Sequence, residues 1–252
     1  MNEKQLREQW LQDEKISFQG WDFSYLNKRW KHEKIPWDYG KIVHRYLKND
    51  MQLLDMGTGG GEFLLSLHHP YDKTSVTEAW QPNVDLCVKK LKPLGISVRQ
   101  IFNDFCIPYD DNNFDFVINR HEAYDLDEVK RILKTNGLFI SQQVGGYNNR
   151  PLSERLIPNF TPLYPDFDLK NEAIKWEKAG FEVIYKDECF SKLFFYDVGA
   201  IVYFAKVIEW EFPNFSVETN FQQLIELQKL LEVNGYIESI EHRFIIVLRN
   251  IQ

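Results

Sequence analysis

Leu53-Leu54-Asp55-Met56-Gly57-Thr58-Gly59-Gly60-Gly61-Glu62 is the stretch on which the reading of this 252-residue chain turns. Met51 to Met56 is short and mostly apolar, a strand candidate that runs into the glycines. A helix is expected from Glu62 until Pro70 stops it. Glycines between a strand and a helix permit positive φ and let a ligand lie against bare backbone. The amides at the helix start favour a negatively charged group. The dinucleotide fingerprint GxGxxG fails here, because Glu62 stands at the sixth position counted from Gly57. The Walker pattern fails as well, since no lysine follows at the required place. What remains is an acid, Asp55, two residues before a GxGxG run.

The chain on either side alternates strand and helix. Thr74–Glu78 reads as a second strand, and Pro82 suits the first turn of a helix carrying Val84, Val88 and Leu91. Gly95 ends that unit. Ser97–Phe102 and Phe114–Asn119 are the third and fourth strands. Leu126, Val129, Ile132 and Leu133 form a helical stripe closed by Asn136-Gly137, and Leu138–Val144 is the fifth strand. A helix over Leu169–Ala179 leads into Phe181–Tyr185, and the last strand is Arg243–Arg249. Such alternation implies an α/β fold with a mostly parallel sheet and helices on both faces. Before the last strand, an insertion at about 190–235 carries an apolar helix near 198–208 and an amphipathic one near 220–233. At the N-terminus, 3–14 and 38–48 read as helices, and Gly20–Leu26 as irregular. The expected organisation is an extension over 1–48 and one domain over 49–252.

Composition narrows the classes. Hydrophobic residues make up 44% and charged residues 27%, with 13 glycines and 10 prolines, which excludes fibrous and disordered chains. A formal charge of −7 gives no overall field toward nucleic acid or anionic membrane. Cys87, Cys106 and Cys189 are scattered and offer neither a zinc ribbon nor a disulfide framework. The start of the chain lacks the apolar centre of a signal peptide. The apolar stretch Val198–Ile208 is too short to span a bilayer. The expectation is a cytoplasmic protein without a bound metal.

Asp55-x-Gly57-x-Gly59-x-Gly61 resembles the first motif of class I S-adenosylmethionine-dependent methyltransferases. The resemblance continues in order over roughly 50 to 188 and the final strand. Glu78 ends the second strand 17 residues after Gly61. Asn103-Asp104-Phe105 follows the third, and Pro108 to Asp115 leads into the fourth. Leu133 to Leu138 leads into the fifth, and Ala179-Gly180-Phe181 into the sixth. The resemblance implies a Rossmann-like sheet of seven strands in the order 3-2-1-4-5-7-6, the last antiparallel, with S-adenosylmethionine as cofactor. It places Asp55, Gly57, Thr58, Gly59 and Gly61 around the methionine end and Asn119 at the tip of the fourth strand. Glu78, with Ala79 beside it, falls on the ribose, where a carboxylate can accept from two hydroxyls side by side. Asn103, Asp104 and Phe105 fall on the adenine. Gly20 to Ser24, Pro36 to Tyr39, Arg120 to Ala123, Gln142 to Gly145 and Asp197 to Ala200 resemble a narrower bacterial subgroup without an assigned substrate. A relative acting on ribosomal RNA guanine carries an N-terminal zinc ribbon; this chain lacks those cysteines.

Each of these residues also has a plainer reading. Asp55 could merely cap the glycine turn, and Glu78 could be a solvated acid beside Trp80. His121, after the fourth strand, could be a general base, being the side chain that titrates nearest neutral pH. Glu122 and Tyr124 compete for that role, and a structural histidine is the alternative. Trp21, Trp37 and Tyr39, with Phe23, are candidates for an aromatic lid. Lys28 to Lys34 mixes basic and aromatic residues, a pattern that can serve nucleic acid but more often marks a solvated face. His68-His69 suits a helix end better than a metal. The [DN]PP[YF] tetrapeptide of amine methylation is absent. The favoured reading is a methyltransferase acting on a small molecule. The alternatives are RNA or protein methylation on the same core, a non-catalytic cofactor-binding domain and, more distantly, a nicotinamide-dependent oxidoreductase. The acceptor and the oligomeric state are not encoded in any motif.

Overall fold

A computed structural model describes residues 1–18 and 22–252; Gly20 and Trp21, and with them part of the expected lid, lie outside the described residues. In chain order the described elements are α1 (Glu3–Glu14), β1 (Trp30–His32), α2 (Tyr39–Tyr46), β2 (Leu53–Met56), α3 (Glu62–Ser66), β3 (Thr74–Glu78), α4 (Gln81–Lys90), β4 (Ser97–Gln100) and β5 (Phe114–Arg120). They continue with α5 (Leu126–Ile132), β6 (Leu133–Val144), α6 (Arg150–Leu156), α7 (Leu169–Lys178), β7 (Phe181–Phe195), α8 (Val198–Val207), α9 (Phe221–Asn234) and β8 (Ile237–Asn250).

Many helices begin where a short polar side chain replaces a missing turn of backbone acceptors. Asp38, Asp125, Asp168 and Asp197 accept from the amides of Lys41, Glu128, Asn171 and Ala200. Asn2 forms a reciprocal capping box with Gln5.

The described strands lie in the order β4-β3-β2-β5-β6-β8-β7-β1. Renumbered without β1, that is the expected 3-2-1-4-5-7-6. The β2–β3, β3–β4, β2–β5 and β5–β6 pairs are parallel, and β1 adds to β7 antiparallel. β1 is an eighth strand that three residues of sequence could not announce.

Several boundaries move from their expected places. α3 stops at Ser66, short of Pro70. The segment from Leu133 is strand rather than the end of a helix, with a register irregularity opposite Phe114–Phe116. β7 runs to Phe195 instead of Tyr185, with Ser191, Leu193 and Phe195 buried in alternation. β8 starts at Ile237 rather than Arg243. In α4 the buried position falls on Cys87, while Val88 is exposed.

The chain forms two compact units. One comprises 1–35, 145–167 and 189–243. Its core gathers Leu6, Trp10, Leu26, Leu156 and Leu224 around α8, which is buried from Val198 to Ala205. The other comprises 36–144, 168–188 and 244–252 and holds the parallel strands. All four residues of β2 are buried, as are Phe116 to Asn119 of β5 and Phe139 to Gln143 of β6. Strands covered on both faces read as largely apolar runs, as β5 does in the sequence. Among the described residues no helix is long and apolar enough to cross a membrane.

Candidate active site

The glycine turn leaves β2 with Gly57, Gly59 and Gly61 at φ of +64°, +61° and +74°. Residues with a Cβ adopt that region only with strain, so the GxGxG spacing matches the three positions that require glycine. The amides of Gly57 and Thr58 donate to the Thr77 carbonyl at the end of β3, at 3.1 and 3.3 Å. From α4, Lys90 Nζ donates to the Gly60 carbonyl at 2.9 Å and the Cys87 thiol to that of Gly59 at 3.1 Å. Neither lysine nor cysteine stood out in the sequence, because one long cation and one small apolar residue carry no motif.

Glu78 is buried at the tip of β3. Its carboxylate accepts from Gly59 N at 2.7 Å and from Ala79 N at 3.2 Å, binding strand tip and turn together. A Cβ added at Gly59 would meet no atom within 4 Å, so the turn faces open space there. A Cβ at Gly57 would fall 2.5 Å from the Glu122 side chain, which lies over the turn.

Two carboxyls at this turn are held far from their ordinary range. Burial pushes Asp55 up to about 7, Thr58 and Arg120 act the other way, and Glu78 adds to the rise. Burial also pushes Glu122 up to about 7, reinforced by the charges of Glu78 and Asp104. The second case is a cluster of like charges that cannot all ionise cheaply. Asp104 is itself raised by burial and by Asp125.

α2 supplies the aromatic side. Tyr39 is buried, its hydroxyl donates to the Asn119 carbonyl at 3.2 Å, and Asp55 is among the charges that raise its pKa. Its ring packs on Phe63 at 5.1 Å, with the Arg120 guanidinium 4.8 Å from the Phe63 centroid. Trp37 is also buried and donates from Nε1 to Gln142 Oε1 at 2.8 Å. The amide group of Gln142 lies 3.0 Å from His121 Nε2. Gln143 Nε2 donates to Asn119 Oδ1 at 2.7 Å and to the Glu122 carbonyl at 3.1 Å. Asn119 Nδ2 is fully buried without a hydrogen-bond partner. An unsatisfied buried donor at a strand tip is costly.

The structure therefore brings Asp55, the glycines, Thr58, Glu78, Asn119, Glu122 and Tyr39 to one end of the parallel strands, with Trp37 and His121 linked through Gln142. That end is where open α/β sheets bind ligands. Asn103 and Phe105 stand further out: Asn103 Oδ1 accepts from Phe105 N at 3.1 Å, and the Phe105 ring is 75% exposed. Ala79 is exposed. Gln142 and Gln143 are the clearest additions to the expected set. Two amides closing an otherwise apolar strand were the available signal. Among the described residues no group of three or more His, Cys, Asp or Glu is placed to hold a metal ion.

Residues 54–141, which span this turn and the tips of β3 and β5, match the family described as methyltransferase domain. A methyltransferase candidate from Bacillus halodurans C-125 has a similar structure, with TM-score 0.58 at 12% identity, over 85% of this chain and 99% of that one. The YcgJ protein from Bacillus subtilis gives 0.55 at 15% identity, over 84% and 98%. Geranyl diphosphate C-methyltransferase from Streptomyces coelicolor A3(2), solved with Mg2+, geranyl diphosphate and S-adenosyl-L-homocysteine, gives 0.51 at 13%, over 84% and 78%. At these identities the likeness is one of fold. No curated protein matches the chain in sequence. Residues 54–141 of the chain thus match a methyltransferase domain, within a fold that these solved structures share.

Proposed function

We propose that the chain binds S-adenosylmethionine across the glycine turn and passes its methyl group to a small-molecule acceptor. The observation that carries this reading is the turn itself: Gly59 opens onto free space while its amide is held by the carboxylate of Glu78. The residues suit the cofactor. Asn119 offers an unsatisfied buried donor, and Asp55 and Glu122 offer negative charge to a cationic group.

When bound, the cofactor supplies a methyl carbon on a sulfonium that departs as a neutral thioether and needs no acid. Glu78 retains lone pairs for the ribose hydroxyls, with Ala79 alongside. Asn103, Asp104 and Phe105 take the adenine. Asp55, Thr58 and Asn119 hold the methionine end. Trp37 and Tyr39, the part of the expected 1–48 lid that belongs to the sheet unit, wall the methionine end and keep water away. His121 and Glu122 serve the acceptor end. With the cofactor so held, the acceptor nucleophile would take the methyl group in line with the departing sulfur. The proton of a hydroxyl or amine acceptor goes to the Glu122 carboxylate. Holding the reacting atoms in line supplies most of the acceleration, roughly 7–11 kcal/mol for well-oriented partners.

The acidic surface supports a small acceptor over RNA, since −7 of formal charge repels a polyanion. Methyl transfer from labelled S-adenosylmethionine to a pooled set of small metabolites, run beside total RNA, tests this. Label recovered only in RNA would overturn the acceptor class.

A further inference from the structure

Trp37, Gln142 and His121 form a hydrogen-bond chain whose polarity is fixed by its first member. An indole nitrogen only donates. Trp37 Nε1 lies 2.8 Å from Gln142 Oε1, so the carbonyl end of that amide must face the indole. The other end of the amide is then NH2, which also only donates, and it lies 3.0 Å from His121 Nε2. A donor there requires an acceptor opposite. Nε2 must carry its lone pair, and the ring proton of a neutral imidazole must sit on Nδ1. Trp37 and Gln142 are 8% and 5% exposed, so water does not readily replace either bond.

The backbone repeats the constraint. The amide of His121 donates to the carbonyl of the same Gln142 at 2.8 Å, and His121 holds φ of +65°, a region uncommon for a residue with a β-carbon. Arg120 pairs with Gln142 in the β5–β6 register, so the strand pairing sets the distance between ring and amide. Main chain and ring of one histidine are thus both held by one glutamine, which a buried tryptophan orients.

We propose that Trp37 and Gln142 are positioning residues that lock His121 as the neutral tautomer protonated on Nδ1, with the Nε2 lone pair committed to the Gln142 amide, so that His121 does not act as the general base. Removal of a proton stays with Glu122. That a base is needed at all rests on the methyltransferase reading above; the tautomer does not.

Long-range proton–nitrogen spectra of protein labelled with 15N-histidine, recorded near pH 8 on the intact chain, test the lock. In the wild type, His121 is expected to show a protonated Nδ1 and an unprotonated Nε2. Gln142→Met keeps the length and removes the donor, and Trp37→Phe leaves the amide able to turn. Each is expected to move His121 toward the Nε2-protonated form that free imidazole side chains favour. A wild type already protonated on Nε2, or a Gln142→Met protein with an unchanged spectrum, would overturn the proposal. Titrating the same wild-type sample with S-adenosylhomocysteine separates the two readings. Absence of binding beside a protonated Nδ1 removes the cofactor assignment and leaves the lock, whereas binding beside a protonated Nε2 removes the lock alone.

Discussion

Glu122 lies where a side chain at position 57 would have to be, and Gly59 faces nothing, so the two glycines answer differently to the same substitution. A left-handed backbone costs alanine about 1–2 kcal/mol at either place. Gly57→Ala must also displace the Glu122 side chain. Denaturant unfolding is expected to show a clearly larger loss for Gly57→Ala than for Gly59→Ala, while Gly59→Ala narrows the open face and weakens S-adenosylmethionine. Asp55 and Glu122 set a pH dependence. Their carboxyls rise from ordinary values of 3.8 and 4.5 to about 7. Between about pH 4 and pH 7 the folded protein therefore keeps protons that the unfolded chain has released, and stability falls as pH rises through that window. Thermal midpoints of the ligand-free protein are expected to decline from pH 5 to pH 8, with Asp55→Asn flattening the decline and raising the midpoint at pH 8. Ionisation through the same window favours a cationic ligand, so binding of S-adenosylmethionine should strengthen from pH 6 to pH 8 more than that of its uncharged-sulfur product. The glycines and Asp55 were visible in the sequence because backbone conformation dictates residue type there. The approach of Glu122 to Gly57 was not, since it depends on how the loop after β5 folds back.

α8 shows what a cap and a buried stripe do together. Asp197 accepts from the Ala200 amide at 2.8 Å and from Arg29 Nε at 2.9 Å, and Arg29 also reaches Asp13 at 2.9 Å. Asp197→Ala removes the cap, worth about 1–2 kcal/mol, and leaves a half-buried guanidinium with one partner fewer. The thermal midpoint is expected to fall by several degrees, read by circular dichroism at 222 nm. Asp197→Asn, which keeps the cap acceptor, should recover part of it. This helix was legible because Asp precedes an unbroken apolar run. The lengths of β7 and β8 were not. Charged residues such as Lys186, Asp187, Glu238 and Glu241 interrupt the apolar count, and burial alternates at Ser191–Phe195 of β7 and Ile237–Ser239 of β8. Leu133 was ambiguous for another reason: it continues the spacing of Val129 and Ile132, yet it pairs with Phe114 as a strand residue. α6 had no signal beyond Pro151 in its first turn.

The strand order was readable from one local fact, the alternation of strand and helix, together with the resemblance that carried it past the fifth strand. The make-up of the two compact units, three chain segments each, has no local signature, because segments far apart in sequence contribute to one core. Charge acts over the entire protein, with 37 acidic residues against 30 basic ones. Single-stranded RNA is expected to bind weakly at 150 mM salt in a filter assay, with little change in affinity as salt is lowered to 50 mM. Steep salt dependence would reveal a basic surface that the total conceals. The most direct test of the central assignment is a calorimetric titration of S-adenosylmethionine into the wild type and into Glu78→Ala. Saturable binding to the wild type, weakened tenfold or more in the variant, is the expected result. Absence of binding to the wild type, or equal affinity for both proteins, would contradict it.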